Sequence, residues 1–167
     1  LKIAYPKHYS SIELNNAIAL FSEKYPEVSI SVITGTHEEI YDLLRSDDID
    51  IAINDQRRAF SDEFVNFELG KARCYAEVCL RNDLSQKESV TVDDLKNMPC
   101  ILITSKEQQK SEREFYQQVL GFGGNFIYAQ TLDEGQLMVA GNRGFMHVER
   151  IGTFCNIYPA AKRLPLL

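Results

Sequence analysis

The sequence has no run approaching the roughly 20 apolar residues of a membrane-spanning helix, and no basic-then-apolar signal segment at its start. Basic charge is also short: 18 Lys and Arg stand against 24 Asp and Glu, for a net charge of −6. Phosphate binding needs a basic surface, so this chain is not expected to grip nucleic acid by itself. There is no C-x-x-C pair. Cys74, Cys79, Cys100 and Cys155 are scattered, which supports neither a zinc motif nor a thioredoxin-like one, and reads as reduced, mostly buried thiols of a cytoplasmic protein. His8, His37 and His147, the three histidines, lie far apart. No G-x-S-x-G elbow, H-E-x-x-H or phosphate-binding loop occurs. The glycines at 121, 123 and 124 lack the strand before and helix after that a dinucleotide fingerprint needs. The expectation is therefore no catalytic residue, no cofactor and no metal.

What is present is an ordinary globular composition: 167 residues, 44% hydrophobic and 25% charged, enough for one domain or two small lobes. Residue 1 is Leu and opens directly into an apolar run, so the chain is expected to be cut from something longer. Residues 1–4 read as a short strand. Ser10-x-x-Glu13 is a capping-box signature, followed by Leu14, Ile18, Phe21 and Tyr25 on one helical face, with Pro26 as the stop. Residues 28–33 are β-branched, Thr34-Gly35 is expected to turn the chain, and Thr36-x-x-Glu39 opens a helix with Ile40, Leu43 and Leu44 inward. Residues 49–53 give a third strand, with Ile49, Ile51 and Ile53 expected in the core.

After Gly70 come strands at 73–80, 100–104, 126–129 and 144–148. A helical turn is expected at 92–95, with helices at 112–120, stopped by Gly121, and from the Thr131-x-x-Glu134 box to Gly141. Residues 164–167 look like the start of a return segment. Strand, loop and helix in repetition predict an α/β protein with parallel sheets, in two lobes rather than one continuous sheet.

The acids at 47, 48, 50 and 55 invite a cation-site reading. Asp47 and Asp48, however, precede the third strand, and about 16 Å of strand, at ~3.3 Å per residue, separates Asp50 from Asp55. A better reading starts from topology. A parallel sheet gathers its helix N-termini along one edge, where open α/β sheets bind ligands. Loops 6–11, 34–37 and 54–58 should open there, offering Lys7, His8, Tyr9, Ser10, Ser11, Thr34, Thr36, His37, Asn54, Asp55, Gln56 and Arg57. Taken singly, Ser10 and Thr36 are explained as helix caps; taken together, the three loops predict a pocket for a small anionic metabolite.

The chain resembles the effector-binding domain of LysR-type transcriptional regulators. The resemblance rests on Leu1-Lys2-Ile3-Ala4; Phe21 with Tyr25-Pro26-Glu27-Val28; Gly35; Leu44 followed by Ile49-Asp50-Ile51-Ala52-Ile53; Val92 with Asp94-Leu95; Pro99; Gly121-Phe122; Val139-x-Gly141-x-x-Gly144; and Leu164-Pro165-Leu166. It implies a type 2 periplasmic-binding-protein-like fold, two parallel-sheet lobes joined by crossing strands, with an inducer bound in the cleft. Lobe I would be residues 1–70 plus 151–167 and lobe II residues 71–150. A winged helix-turn-helix N-terminal to this chain would carry DNA binding, the family's homodimer or higher homo-oligomer would transmit the signal, and the domain would continue beyond the last residue. Carried over residue by residue, the effector contacts are His8, Tyr9, Ser10, Thr34, Gly35, Thr36, Asn54, Thr104, Ser105 and Phe145. Peroxide-sensing members carry a reactive cysteine in the loop that here reads Ser105-Lys106-Glu107-Gln108-Gln109, so that thiol switch is not implied.

Two alternatives compete. A solute-binding protein of the same fold would need a secretion signal upstream and would tolerate four unpaired cysteines poorly. An enzyme on this fold would need a positioned acid, base or nucleophile, for which the sequence offers no candidate.

Overall fold

The computed structural model describes residues 1–7, 9, 12–55, 61–150 and 159–167. The chain divides into two units, Leu1–Phe67 and Glu68–Leu167.

In the first unit, the alternating strand and helix patterns close into a parallel sheet. The elements are β1 (Lys2–Pro6), α1 (Ile12–Lys24), β2 (Ser31–Gly35), α2 (His37–Arg45) and β3 (Ile51–Ala52). Strand order is β2-β1-β3, both pairings parallel, as strands joined by crossover helices require. The Ser10 half of the first capping box lies outside the described residues. The core of this unit is Ala4, Ile40 and Ile49, with Leu43, Leu44 and Ala52 packed against it. Two expectations are corrected here. Ile51 is 42% exposed, because β3 pairs over two residues only and its pleat turns Ile51 away from the Ala4–Ile40–Ile49 cluster. Gly35 belongs to β2 rather than to a turn: a Cβ there would sit 3.2 Å from Ile40 Cγ1, so glycine lets α2 approach the strand.

Helix α2 leaves through Asp47, a non-glycine residue with φ of 58°. The Asp48 N–H donates to the Leu43 carbonyl at 2.9 Å and the Asp47 N–H to Leu44 at 3.3 Å, closing the last turn. Ser46 Oγ donates to the Asp48 carboxylate at 2.7 Å, and the Asp50 carboxylate accepts the Lys2 backbone N–H at 2.7 Å. Asp48 and Asp50 thus serve the helix-to-strand turn and the sheet edge.

The second unit comprises β4 (Arg73–Cys79), a 3-10 turn (Asp83–Gln86), α3 (Val92–Leu95), β5 (Cys100–Ile103), α4 (Gln109–Gln118), β6 (Phe126–Ala129), α5 (Leu132–Ala140), β7 (Met146–Arg150) and β8 (Ala161–Pro165). β5 and β6 pair in parallel, while β7-β4-β8 is an antiparallel sheet with β4 at its centre. The return segment expected at 164 begins at Ala161 and pairs along β4. Residues 159–167 thereby fall in the second unit rather than with residues 1–70, while 151–158 lie outside the described residues.

One face of the antiparallel sheet contributes Ala76, Val78 and Leu164 to a core with Leu95, Leu102, Phe122 and Phe145; Met146 and Ala161 on the other face join Ile101 and Val139. Glu77 on β4 and Arg163 on β8, opposite each other, form a buried ion pair. Gly121 ends the α4 segment with φ of 76°, and α5 stops at Gly141, its C-cap, as expected; the left-handed residue that follows is Asn142 (φ 56°). Asparagine is, after glycine, the residue that takes that conformation most often at a helix end.

Candidate functional site

The C-terminal ends of β1, β2 and β3 lie side by side, because all three run parallel with β1 in the middle. The Lys7 N–H donates to the Gly35 carbonyl at 2.9 Å, so the chain leaves β1 directly beside the point where β2 gives way to α2. The α2 capping box is complete: Thr36 Oγ1 accepts from the Glu39 N–H at 3.2 Å, and the Glu39 carboxylate accepts from the Thr36 N–H at 2.8 Å. Lys7 Nζ lies 3.3 Å from the same carboxylate. The Thr36 N–H, and after it Lys7, hold the Glu39 carboxyl below the usual carboxylate range.

Next to this, the His37 Nδ1 meets the Asn54 side-chain oxygen in a short hydrogen bond and stands 3.2 Å from Asp55 Oδ1, and the Asp55 N–H donates to that same Asn54 oxygen at 3.2 Å. The start of α2 is thereby tied to the segment following β3. The sequence placed His37 and Asp55 in loops of this edge, but neither was among the contacts that the family resemblance carried over. Their only signal is that both follow strand ends. A groove of about 610 Å³ in this unit is lined by Lys7, Thr34, Gly35, Glu39, Asp42, Leu43 and Ser46.

The expected contacts distribute as follows. His8 and Ser10 lie outside the described residues. Tyr9 is half-buried, its N–H donating to the Pro6 carbonyl at 3.0 Å. Thr34 and Gly35 line the groove, Thr36 caps α2, and Asn54 is exposed at the third strand's end. In the second unit, Thr104 is buried just past β5, its N–H bound to the Ala129 carbonyl at 2.9 Å, and Ser105 follows, half-buried. Phe145 is 1% exposed and its ring meets Phe122 edge-on at 5.2 Å, so its side chain belongs to the core.

The described thiols are free, with Cys79 and Cys100 buried; Cys155 lies outside the described residues. Burial pushes the Cys100 thiol far up, and burial followed by the Glu149 charge pushes Cys74 up, so both stand protonated near neutral pH. The Ser105 loop after β5 forms a 3-10 turn at Lys106–Gln108. Cys74 shares its surroundings with His147 and Glu149: one donor atom from each falls within 4.8 Å of the other two. Sequence spacing hid this group, since β4 and β7 bring together residues more than seventy positions apart. Among the described residues, no helix is long and apolar enough to cross a membrane.

The fold has counterparts in known proteins. The chain is 24% identical over 131 residues to the HTH-type transcriptional regulator CysB of Haemophilus influenzae, covering 78% of this chain and 41% of that protein. It spans well under half the length of the curated relatives it matches. HinK, a LysR family transcriptional regulator from Pseudomonas aeruginosa, superposes with a TM-score of 0.72 at 20% identity over 99% of this chain and 57% of that one. The effector binding domain of QuiR in complex with shikimate superposes with a TM-score of 0.74 at 13% identity over 100% of this chain and 80% of that one. The shared fold is the two-lobed, type 2 periplasmic-binding-protein-like α/β fold. With the LysR substrate binding domain matching residues 1–140, this chain belongs to the family of LysR-type effector-binding domains.

Proposed function

We propose that this chain is the sensing part of a LysR-type transcriptional regulator and that it binds a small anionic metabolite. The observation carrying this reading is the single edge at which β1, β2 and β3 end and α2 begins. Backbone N–H groups of the first helical turn, the Thr34 and Thr36 hydroxyls and the Asn54 amide are presented there together. A helix N-terminus favours a carboxylate by its exposed donors and its partial positive charge. Lys7 contributes less than its charge suggests, because Glu39 already engages it. Thr104 and Ser105, past the end of β5, are the corresponding positions on the second unit. In the whole protein the signal would pass to a DNA-binding part through a homodimer or higher homo-oligomer in the cytoplasm. The chain would turn over no substrate.

A thermal-shift screen of carboxylate metabolites against the full-length protein tests this. A ligand present at 100-fold its dissociation constant adds about 2.7 kcal/mol of stability. Small carboxylates should raise the melting temperature, and Asn54→Ala should abolish the rise without lowering the unliganded value by much. Stabilisation by cationic or apolar compounds alone would overturn the anion reading, and loss of the added metabolite on incubation would favour an enzyme.

A further inference from the structure

We propose that Cys74, His147 and Glu149 form a binding site for a borderline divalent cation of the zinc class on the β4–β7 ladder of the second unit. In this antiparallel pair Cys74 stands opposite Glu149, and Ala76 stands opposite His147. Directly opposed residues share a face of a sheet, and so do residues two apart on one strand. All three side chains therefore leave the same face, and their sulfur, nitrogen and oxygen donors lie within 4.8 Å of one another.

The neighbours suit a metal. Ala76 carries only a methyl opposite His147. The rings of Tyr116 and Phe122 meet the imidazole edge-on at 5.7 and 5.8 Å, setting its plane and narrowing access for water. All three ligating residues are half-buried, so the site is neither a wet acidic surface nor a sealed core.

Donor chemistry selects the ion. Calcium and magnesium take oxygen ligands almost exclusively, whereas zinc accepts thiolate, imidazole and carboxylate together. Zinc bonds of about 2.0 to 2.3 Å in tetrahedral arrangement place donors roughly 3.3 to 3.6 Å apart. Closing from 4.8 Å needs side-chain rotations of about 1 Å on a strand pair whose register is already set. Thiolate and carboxylate would balance the ion's two positive charges, the thiol proton leaving to solvent as the Cys74 sulfur binds. Three protein ligands leave a fourth position for water or an exchangeable ligand.

The metal-free full chain, titrated with Co²⁺ and then Zn²⁺, tests the proposal. One equivalent of Co²⁺ should produce a thiolate-to-cobalt charge-transfer band that Zn²⁺ displaces. Cys74→Ser should remove the band and weaken Zn²⁺ binding by more than about 100-fold, the upper end of what losing a ligand's supporting partner costs. Cys79→Ser, five residues along the strand and hydrogen-bonded to the Ala140 carbonyl, should leave the band in place. Glu149→Gln should keep the band and lower affinity at least about tenfold. In the unaltered chain, Zn²⁺ should slow alkylation of Cys74 at least about tenfold, a readout independent of any variant's folding. Absence of the one-equivalent band, a band that survives Cys74→Ser, or an alkylation rate indifferent to Zn²⁺ would each overturn the site.

Discussion

The two units solve the same problem differently. Among its described residues, unit one gathers Ala4, Ile40 and Ile49 into one small core cluster, with Ile3 also buried, and leaves Val32 at 44%, Ile33 at 39% and Ile51 at 42% exposure. Unit two builds two clusters on the opposite faces of its antiparallel sheet and buries an ion pair besides. Local order in the first rests on strand pairing, the Thr36–Glu39 box and the Lys2–Asp50 bond. In the second, order rests on packed volume. The same β-branched composition that predicts a strand therefore predicts burial only where a second layer covers that strand.

The sharpest way to break the comparison is the buried pair. Glu77→Ala removes the carboxylate that faces the buried Arg163 guanidinium, at a cost of about 3 to 5 kcal/mol in urea unfolding. Val32→Ala, on the exposed strand of unit one, should cost less than about 1 kcal/mol by the same measurement. Equal losses would mean that the two units are equally core-dependent.

A smaller effect is expected at Gly144. A Cβ there would lie 2.4 Å from the Pro99 carbonyl oxygen and 3.1 Å from Ile101 Cγ1. Gly144→Ala must push β7 away from β5, costing about 1 to 3 kcal/mol of unfolding free energy, read as a lower urea midpoint.

The smallest effect is one the units share. Asp94 accepts from Lys87 and from the Thr91 N–H, and these lower its carboxyl to about 2; Glu39 in unit one is lowered in the same sense by Thr36 and Lys7. A carboxyl lowered on folding contributes stability that is complete above its ordinary value and is lost as pH falls through the folded one. For Asp94 the loss runs from about pH 4 down to about 2. Acid should open both caps, as read from carboxyl carbon shifts by NMR, and Asp94→Asn should remove the α3 part alone. A pH-independent α3 in the unaltered chain would contradict this assignment.

The order of elements was readable because each strand and helix carries its own period, and the Thr36–Glu39 box could be located to the residue. The Thr91–Asp94 box escaped because aspartate stands where the usual signature has glutamate or glutamine. At Thr131 the hydroxyl accepts from the Glu134 N–H as expected, but the Glu134 carboxylate reaches Gln130 rather than Thr131. Burial was harder to foresee: Leu14, Ile18 and Phe21 share a helical face as spaced, yet α1 buries none of its residues. The loop cluster at the sheet edge followed from parallel topology. The grouping of Cys74 with His147 and Glu149 did not, because it depends on long-range strand register, which no local pattern encodes.

The contact at Gly144 has a consequence for how the strands find each other. The Phe145 N–H donates to the Pro99 carbonyl, and the Ile101 N–H donates to the Phe145 carbonyl, so β7 enters its sheet with its approach to β5 already fixed. A slip of one position would set Arg143 or Phe145 where only a hydrogen fits. Gly144 thus fits only the observed approach of the segment entering β7 to Pro99 and Ile101, and β7 in this structure carries His147 and Glu149 beside Cys74.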